Sequence, residues 1–512
     1  MGDKIYTLAI LLAILFLARQ VITYINEARF KRRHGCKPEV RFPQLERFIG
    51  YDIYKIQTEV SRSRKNLETT KWRYDTYGST WSVVVAGRRF INTIETENIK
   101  TVLSVNFKEY GLGGRLVAFG PLLGAGIFTT DGAQWEHSRV GRAELSLVRP
   151  NFTRSQVADL DTFETHIQKL VTKIPTDGST VDLQTLFFQL TLDSATQFLF
   201  GESVSSLSST EGSVQEQFGT MFDLAQNRLA RRSRLAKLVW LFKDKDFDVA
   251  CKVVHEFVDN IINKALEKAD PLDAEKEIDG TGEPERYVFL TEMLKATRDP
   301  KQLRDELLNI LLAGRDTTAS LLSHTFHVLA RRPDIWNKLK AEIDELHGQK
   351  PDYDTLRDLK YLKYLLNESP ALRLYPVVPA NGRFALKDTV LPLGGGPNGL
   401  SPVFVPKGTL VAYSTYVMHR RKDVYGADAE EFRPERWAPE EGLRPGWAYL
   451  PFNGGPRICV GQQFALTEAA YTIVRMVQQF AGLENRDPTL WVEGLALTLS
   501  SGNGVKVAMV PR

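Results

Sequence analysis

Apolar residues fall in several different rhythms along this chain. From Ile5 to Leu17 they are nearly unbroken, with only Tyr6 and Thr7 departing from the run, and they resume after Arg19 and Gln20 at Val21-Ile22-Thr23-Tyr24-Ile25. A bilayer span takes about 20 residues, a length this stretch reaches when Arg19 snorkels towards the interface. The basic cluster Arg29-Phe30-Lys31-Arg32-Arg33 follows, and the positive-inside rule keeps it cytosolic. A cleaved signal peptide is the rival reading. No small-residue cleavage site follows the apolar run, so an uncleaved anchor over 1–28 is expected. Residues 29–44 then read as a basic, proline-bearing linker and 45–512 as the body. Within it, 72–105 reads as short strands and a helix, Trp81-Ser82-Val83-Val84-Val85 being one strand. Across most of 150–350 apolar residues recur at i, i+3 and i+4, which predicts helices. Ala269–Arg286, acidic and glycine-bearing, reads as a solvated loop, Pro392–Val411 as a hairpin region and 462–482 as a helix. Glu306 to Phe326 predicts one long helix whose apolar pattern is interrupted at Ala313-Gly314-Arg315-Asp316-Thr317-Thr318. The expected class is mainly α with a small β portion.

Composition narrows this little. A chain of 512 residues with 43% hydrophobic and 25% charged residues is globular, and a net charge of +4 is too small to argue for a nucleic-acid partner. Cys36, Cys251 and Cys459 are its three cysteines, an odd and sparse set that gives no disulfide framework and suits a reducing compartment.

The chemistry concentrates in Phe452-Asn453-Gly454-Gly455-Pro456-Arg457-Ile458-Cys459-Val460-Gly461. A thiolate that ligates iron must be deprotonated and shielded, and a tight loop ahead of a helix N-terminus serves both needs. Gly455 permits the turn, Gly461 lets the helix approach a flat cofactor, and Arg457 offers a cation to an acidic group. Read as F-x-x-G-x-R-x-C-x-G, the segment resembles the haem-binding loop of the cytochrome P-450 monooxygenases. The resemblance implies their fold from about residue 40 onward. It also implies haem b, iron protoporphyrin IX, with Cys459 as the proximal iron ligand and Phe452, Arg457 and Gly461 against the cofactor.

Further motifs carry the same resemblance. Glycine inside a helix needs a reason, and Ala313 to Thr318 matches the A-G-x-D-T-T segment of the distal haem face. There Ala313 and Gly314 would lie on the cofactor, Thr317 would hydrogen-bond bound oxygen and Asp316 would feed the proton relay. Trp135 and Arg139, four residues apart, share a helix face and suit a carboxylate. The family's W-x-x-x-R pair holds a haem propionate, and Arg383 and Arg457 match two more propionate contacts. His324 and His327 read as helix-face histidines without a third metal ligand. Gly394-Gly395-Gly396-Pro397-Asn398-Gly399 satisfies G-x-G-x-x-G, but strand-like Pro402-Val403-Phe404-Val405-Pro406 follows in place of a helix, so a hairpin loop is expected.

Two segments depart from the family. Its buried E-x-x-R pair, joined by an arginine matched here by Arg436, appears as Glu368-Ser369-Pro370-Ala371-Leu372-Arg373. Five helical residues rotate the side chains about 140° apart, so Glu368 and Arg373 are expected to lose each other. Extra residues within Val140–Ser146 also precede Leu147-Val148-Arg149-Pro150. Misplaced splice boundaries or a catalytically impaired haem-binding relic would explain both. His34-Gly35-Cys36-Lys37-Pro38, the run Gly120–Phe128 and Pro451–Ala469 are most similar to fungal enzymes that hydroxylate n-alkanes and fatty acids at the chain end; the apolar Leu112–Phe128 suits such a chain. A secondary-metabolite tailoring enzyme is the alternative. No flavin or nicotinamide motif is present, so the resemblance implies a separate NADPH-dependent flavoprotein reductase, together with O2, a lipophilic substrate and the endoplasmic reticulum membrane, the catalytic domain being cytosolic.

Overall fold

The computed structural model describes residues 2–140, 159–210, 212–268 and 288–512. The segment 141–150 and the acidic loop Ala269–Arg286 lie outside the described residues. The strands in chain order are β1 (Val40–Arg41), β2 (Thr80–Val85), β3 (Arg88–Thr93), β4 (Tyr110–Gly111), β5 (Val181–Asp182), β6 (Asn381–Ala385), β7 (Thr389–Gly395), β8 (Ser401–Val405), β9 (Leu410–Tyr413), β10 (Phe480–Asn485), β11 (Glu493–Leu495), β12 (Leu499–Ser501) and β13 (Lys506–Pro511). The body divides into two compact units, each built from discontinuous segments.

The first unit comprises Met1–Ile56, Thr70–Gly111 and Gly382–Ser414. Its helix Gly2–Arg33 is about 48 Å long by helical rise, and its large apolar side chains from Ile5 to Ile25 are exposed. Gly35, at φ +64°, closes the helix end, where Cys36 N donates to Lys31 O at 2.9 Å. The stretch expected as linker is woven into the sheet. Lys37 N donates to Pro402 O at 2.8 Å, Gly396 N donates to Pro38 O at 2.9 Å, and β1 pairs in parallel with β2. The six-stranded sheet runs β1-β2-β3-β9-β6-β4. β2 and β3 are joined by Ala86 and Gly87, both at positive φ, the geometry of a tight hairpin turn. β7 and β8 form the expected hairpin around Gly394–Gly399. Its glycines serve packing: a Cβ on Gly395 would come within 2.7 Å of Lys37 O.

The second unit comprises Gln57–Thr69, Leu112–Asn381 and Thr415–Arg512. A 30-residue helix, Pro300–Leu329, forms its axis, longer at both ends than its apolar pattern predicted. Asp299 caps it by accepting from Lys301 N at 3.0 Å, and Pro300 occupies the first turn, where a missing N–H is harmless. Helices Leu183–Phe200 and Gln462–Gln479 pack against it, burying Phe187, Leu321, Leu322, Phe326 and Ile473 in one core. The last helix stops at Gln479, short of the expected residue 482, because Phe480 is extended and starts β10. β10-β13-β5 make a small sheet and β11-β12 a hairpin.

Candidate active site

Asn453 and Gly455 both sit at positive φ, so the chain doubles back, and Cys459 N donates to Phe452 O at 2.9 Å. Gly461 then caps the helix Gln462–Gln479, its carbonyl accepting from Ala465 N at 3.0 Å. Cys459 keeps accessible surface. Burial pushes the thiol up, while the Gly461 N–H and the Arg139 charge pull it back.

Helix Gly132–Val140 sets Trp135 and Arg139 on one face beside this loop. Arg139 Nη2 donates to Ile458 O. The Arg457 guanidinium lies 4.3 Å from the centre of the Trp135 ring and the Arg139 guanidinium 6.0 Å from it. Arg457 Nη2 also donates to Thr130 O at 2.9 Å and to Asp131 Oδ1 at 2.7 Å. A thiol flanked by an indole and two guanidinium groups fits the iron and the carboxylates of haem. Arg383, buried on β6, belongs to the first unit, where its Nη1 donates to Gly382 O at 2.9 Å.

On the long helix, Asp316 is buried and its carboxyl is pushed up to about 6; burial raises it, the Arg315 charge opposes and the Asp223 charge adds. Arg315 Nη1 donates to Asp223 Oδ1, and to Asp316 Oδ1 at 3.1 Å. The Gln226 amide, oriented by its neighbours, points its nitrogen at Asp316 Oδ2 and its oxygen at Arg315 Nη1, 3.3 Å away. The hydroxyl of Thr317 donates to Ala313 O at 2.6 Å. A methyl at Gly314 would meet only Ala195, at 3.8 Å, so packing alone does not require glycine there. Nearby, Glu468 accepts from the Ser194 hydroxyl, and burial pushes its carboxyl up to about 8. His324 and His327 are both buried; burial pushes them down to about 4 and about 3, so they are neutral.

The expected separation of Glu368 from Arg373 is corrected here. The helix Lys360–Glu368 ends at Glu368, Ser369 turns extended at φ −41°, ψ 136°, and Pro370 follows. A turn then brings Arg373 back, its N–H donating to Ser369 O at 2.9 Å. The helical rotation that would part the two side chains therefore never accumulates. Arg373 Nε and Nη2 each reach a Glu368 oxygen at 2.7 Å, both residues fully buried. Arg436 Nε joins at 3.3 Å, and Trp437 Nε1 donates to Glu368 Oε2 at 2.8 Å.

A group absent from the sequence reading fastens the apolar loop Gly124–Phe128 to the long helix. Asp305 Oδ2 accepts from Ala125 N at 2.8 Å, Glu306 Oε2 from Ile127 N at 3.2 Å and Asn309 Oδ1 from Phe128 N at 3.1 Å. Burial pushes Glu306 up to about 7. Gly124 and Gly126 leave no room for a Cβ against Asp305 and Asn309, so the G-A-G spacing was the available signal. Asp223, Gln226 and Glu468 were missed as well; their partners are distant in sequence.

Comparison with known proteins matches residues 53–502 to the family described as cytochrome P450. The chain is 47% identical to the cytochrome P450 monooxygenase himC of Aspergillus japonicus, over 96% of this chain and 88% of that one. It is 44% identical to cytochrome P450 52A13 of Debaryomyces hansenii, over 95% and 94%. It is 46% identical to cytochrome P450 52A3-B of Candida maltosa, over 83% and 82%.

Proposed function

The chain belongs to the cytochrome P450 family, a class of haem b monooxygenases that incorporate oxygen from O2, and on that premise we propose that it hydroxylates n-alkanes or fatty acids at the chain end. The observation that carries the substrate class is the apolar loop strapped to the long helix. Leu122 and Leu123, which end the helix ahead of it, and its own Ile127 are buried, while Phe128, 38% exposed, is tied to Asn309, little more than a helical turn before Gly314. Haem, when bound, supplies the iron chemistry that activates O2. Cys459 would hold its iron, and Trp135, Arg139 and Arg457 its carboxylates. Thr317 would orient a small ligand with its hydroxyl, and Asp316, pushed up to about 6, can take and return a proton near neutral pH.

The intact Glu368–Arg373 pair removes one of the two reasons for reading the chain as an impaired relic; the other, the extra residues within Val140–Ser146, falls outside the described residues. The glycine run that resembles a nucleotide motif is a hairpin turn, which fits a protein that takes electrons from a separate NADPH-dependent flavoprotein reductase. The exposed apolar helix Gly2–Arg33 and its basic end suit an anchor in the endoplasmic reticulum membrane with a cytosolic body. Full-length enzyme reconstituted with such a reductase and NADPH is expected to convert aliphatic chains of graded length to terminal alcohols. Turnover of polycyclic lipophiles with none of the aliphatic series would reject the proposed substrate class.

A further inference from the structure

The second unit carries an open groove of about 600 Å³ whose lining is strongly cationic. Arg228 and Arg231 lie on one face of the helix Val214–Ser233 with Leu224, and Arg234 follows at its end. Arg64 comes from the opposite side. Its backbone is held at φ 54°, a conformation uncommon for a side-chain-bearing residue. Its Nη1 donates to Gly502 O at 3.4 Å, and a Cβ on Gly502 would come within 2.7 Å of that nitrogen. Glu493 is the sole carboxylate among the lining residues. Its oxygens are already taken by Asn66 N at 2.7 Å and Leu67 N at 2.8 Å, where it caps the helix Asn66–Tyr77. Arg228 is paired with Asp244 at 3.3 Å. Arg64, Arg231 and Arg234 face no carboxylate within ion-pair distance among the described residues. The bland account, cations favoured by a helix C-terminus, covers Arg231 and Arg234 but not Arg64, which comes from another segment in an unfavourable backbone conformation.

Both walls of the groove are fixed to the same stretch of the long helix. On one wall, Asp223, next to Leu224, accepts from Arg315. On the other, the carbonyl of Leu499 in β12 accepts from the Ser320 hydroxyl. Arg315 and Ser320 bracket Asp316 and Thr317, so residues adjoining both walls are tied to the segment that carries the candidate proton chemistry.

We propose that this groove holds the anionic head of an aliphatic substrate, a long-chain carboxylate, and that the n-alkanes are the poorer ligands. The proposal rests on the aliphatic reading above and narrows it. Guanidinium groups bind carboxylates through paired N–H donors, while Leu224 and Leu495 offer the first apolar surface to the tail. A head retained at the arginines leaves the far end of the chain to reach Thr317, which accounts for oxidation at the terminus and not beside the carboxylate.

The test titrates the full-length holoenzyme with hexadecanoate, methyl hexadecanoate and hexadecane, following the haem absorbance. The acid should bind tightest, and Arg231→Glu/Arg234→Glu should weaken it by about tenfold while moving the ester and the alkane by less than about twofold. Arg231→Lys/Arg234→Lys should keep most of the preference. Equal losses for all three ligands, or none for the acid, would overturn the proposal. An acid that binds no tighter than the ester overturns it too, yet leaves the aliphatic reading standing. No response to any of the three removes the aliphatic reading and the groove's role with it. Dihexanoyl phosphatidylserine should leave bound hexadecanoate in place; displacement would assign these arginines to lipid headgroups and overturn the proposal.

Discussion

Among the buried acid–arginine clusters described in the second unit, those around Glu368 and Asp316 are built to opposite ends. Around Glu368 every donor of Arg373 is used: Nε and Nη2 on the carboxylate, Nη1 on His419 O at 3.0 Å and Ala429 O at 2.6 Å, and Nη2 again on Glu431 O at 2.8 Å. Five N–H groups meet five acceptors, the full capacity of a guanidinium. Around Asp316 the arginine shares one nitrogen between two carboxylates, and its Nε has no hydrogen-bond partner among the described residues. The first cluster fixes geometry. The second leaves a carboxyl whose charge is only partly compensated, and such a group can exchange protons near neutrality. A buried ion pair says little by itself; how completely it is satisfied says what it is for.

Three substitutions and one deletion press on that contrast. The largest effect is expected from Glu368→Ala, which strands Arg373 without its carboxylate and leaves Arg436 with the Asp428 carboxylate alone. Removing one partner of a buried pair costs about 3–5 kcal/mol, so denaturant unfolding should show that loss, with haem incorporation falling in parallel. An unfolding midpoint like that of the parent would show that the saturated cluster holds nothing.

Asp316→Asn comes next. The folded protein keeps the Asp316 proton up to about pH 6, whereas the unfolded chain releases it near 3.8. Between these values the folded state binds more protons, so this carboxyl's stabilising contribution is complete below the lower value and lost by the upper one. The swing is roughly 3 kcal/mol. Melting curves of parent and variant across that window should diverge with pH, and coupling of NADPH consumption to product should fall. Parallel curves would put Asp316 in the class of fixed charges.

Gly314→Ala should leave the fold intact, since the added methyl meets only Ala195. Helix propensity favours it by about 0.5–1 kcal/mol. Any lost turnover in a protein no less stable would then report on a ligand at that face. Smallest of all is deletion of Pro370-Ala371. The turn already delivers Arg373 to Glu368, so haem content is expected to stay at the parental level; a clear gain would mean the pair is weaker than its geometry.

Much of the site was legible because its chemistry is local. The cysteine loop, the Asp316-Thr317 segment and the Trp135–Arg139 face each fit within a few residues. Glu368 and Arg373 were named correctly, but their relation was not: the break that Pro370 imposes was expected to part them, whereas the turn after it brings Arg373 back. The fastening of Gly124–Phe128 by Asp305, Glu306 and Asn309 was invisible for another reason: its partners are remote along the chain and meet only through backbone amides, which carry no residue signature. The same holds for Gln226 beside Asp316. In the fold, the helices stood out by period, whereas the linker's two-residue strand was too short for any pattern to announce.

That linker changes what the N-terminal helix can do for the anchored protein proposed above. Phe30 packs on Phe404 with ring centres 5.2 Å apart, Lys31 sits 4.9 Å over the same ring, and the next residues enter the sheet without slack. The helix is thus a bracket and not a leash. A leash tolerates added length; a bracket transmits it as rotation. Two residues inserted before Phe30 would turn the apolar shaft by about 200° relative to the hairpin it is bolted to, so the angle at which the first unit meets the bilayer is written into the register of that joint.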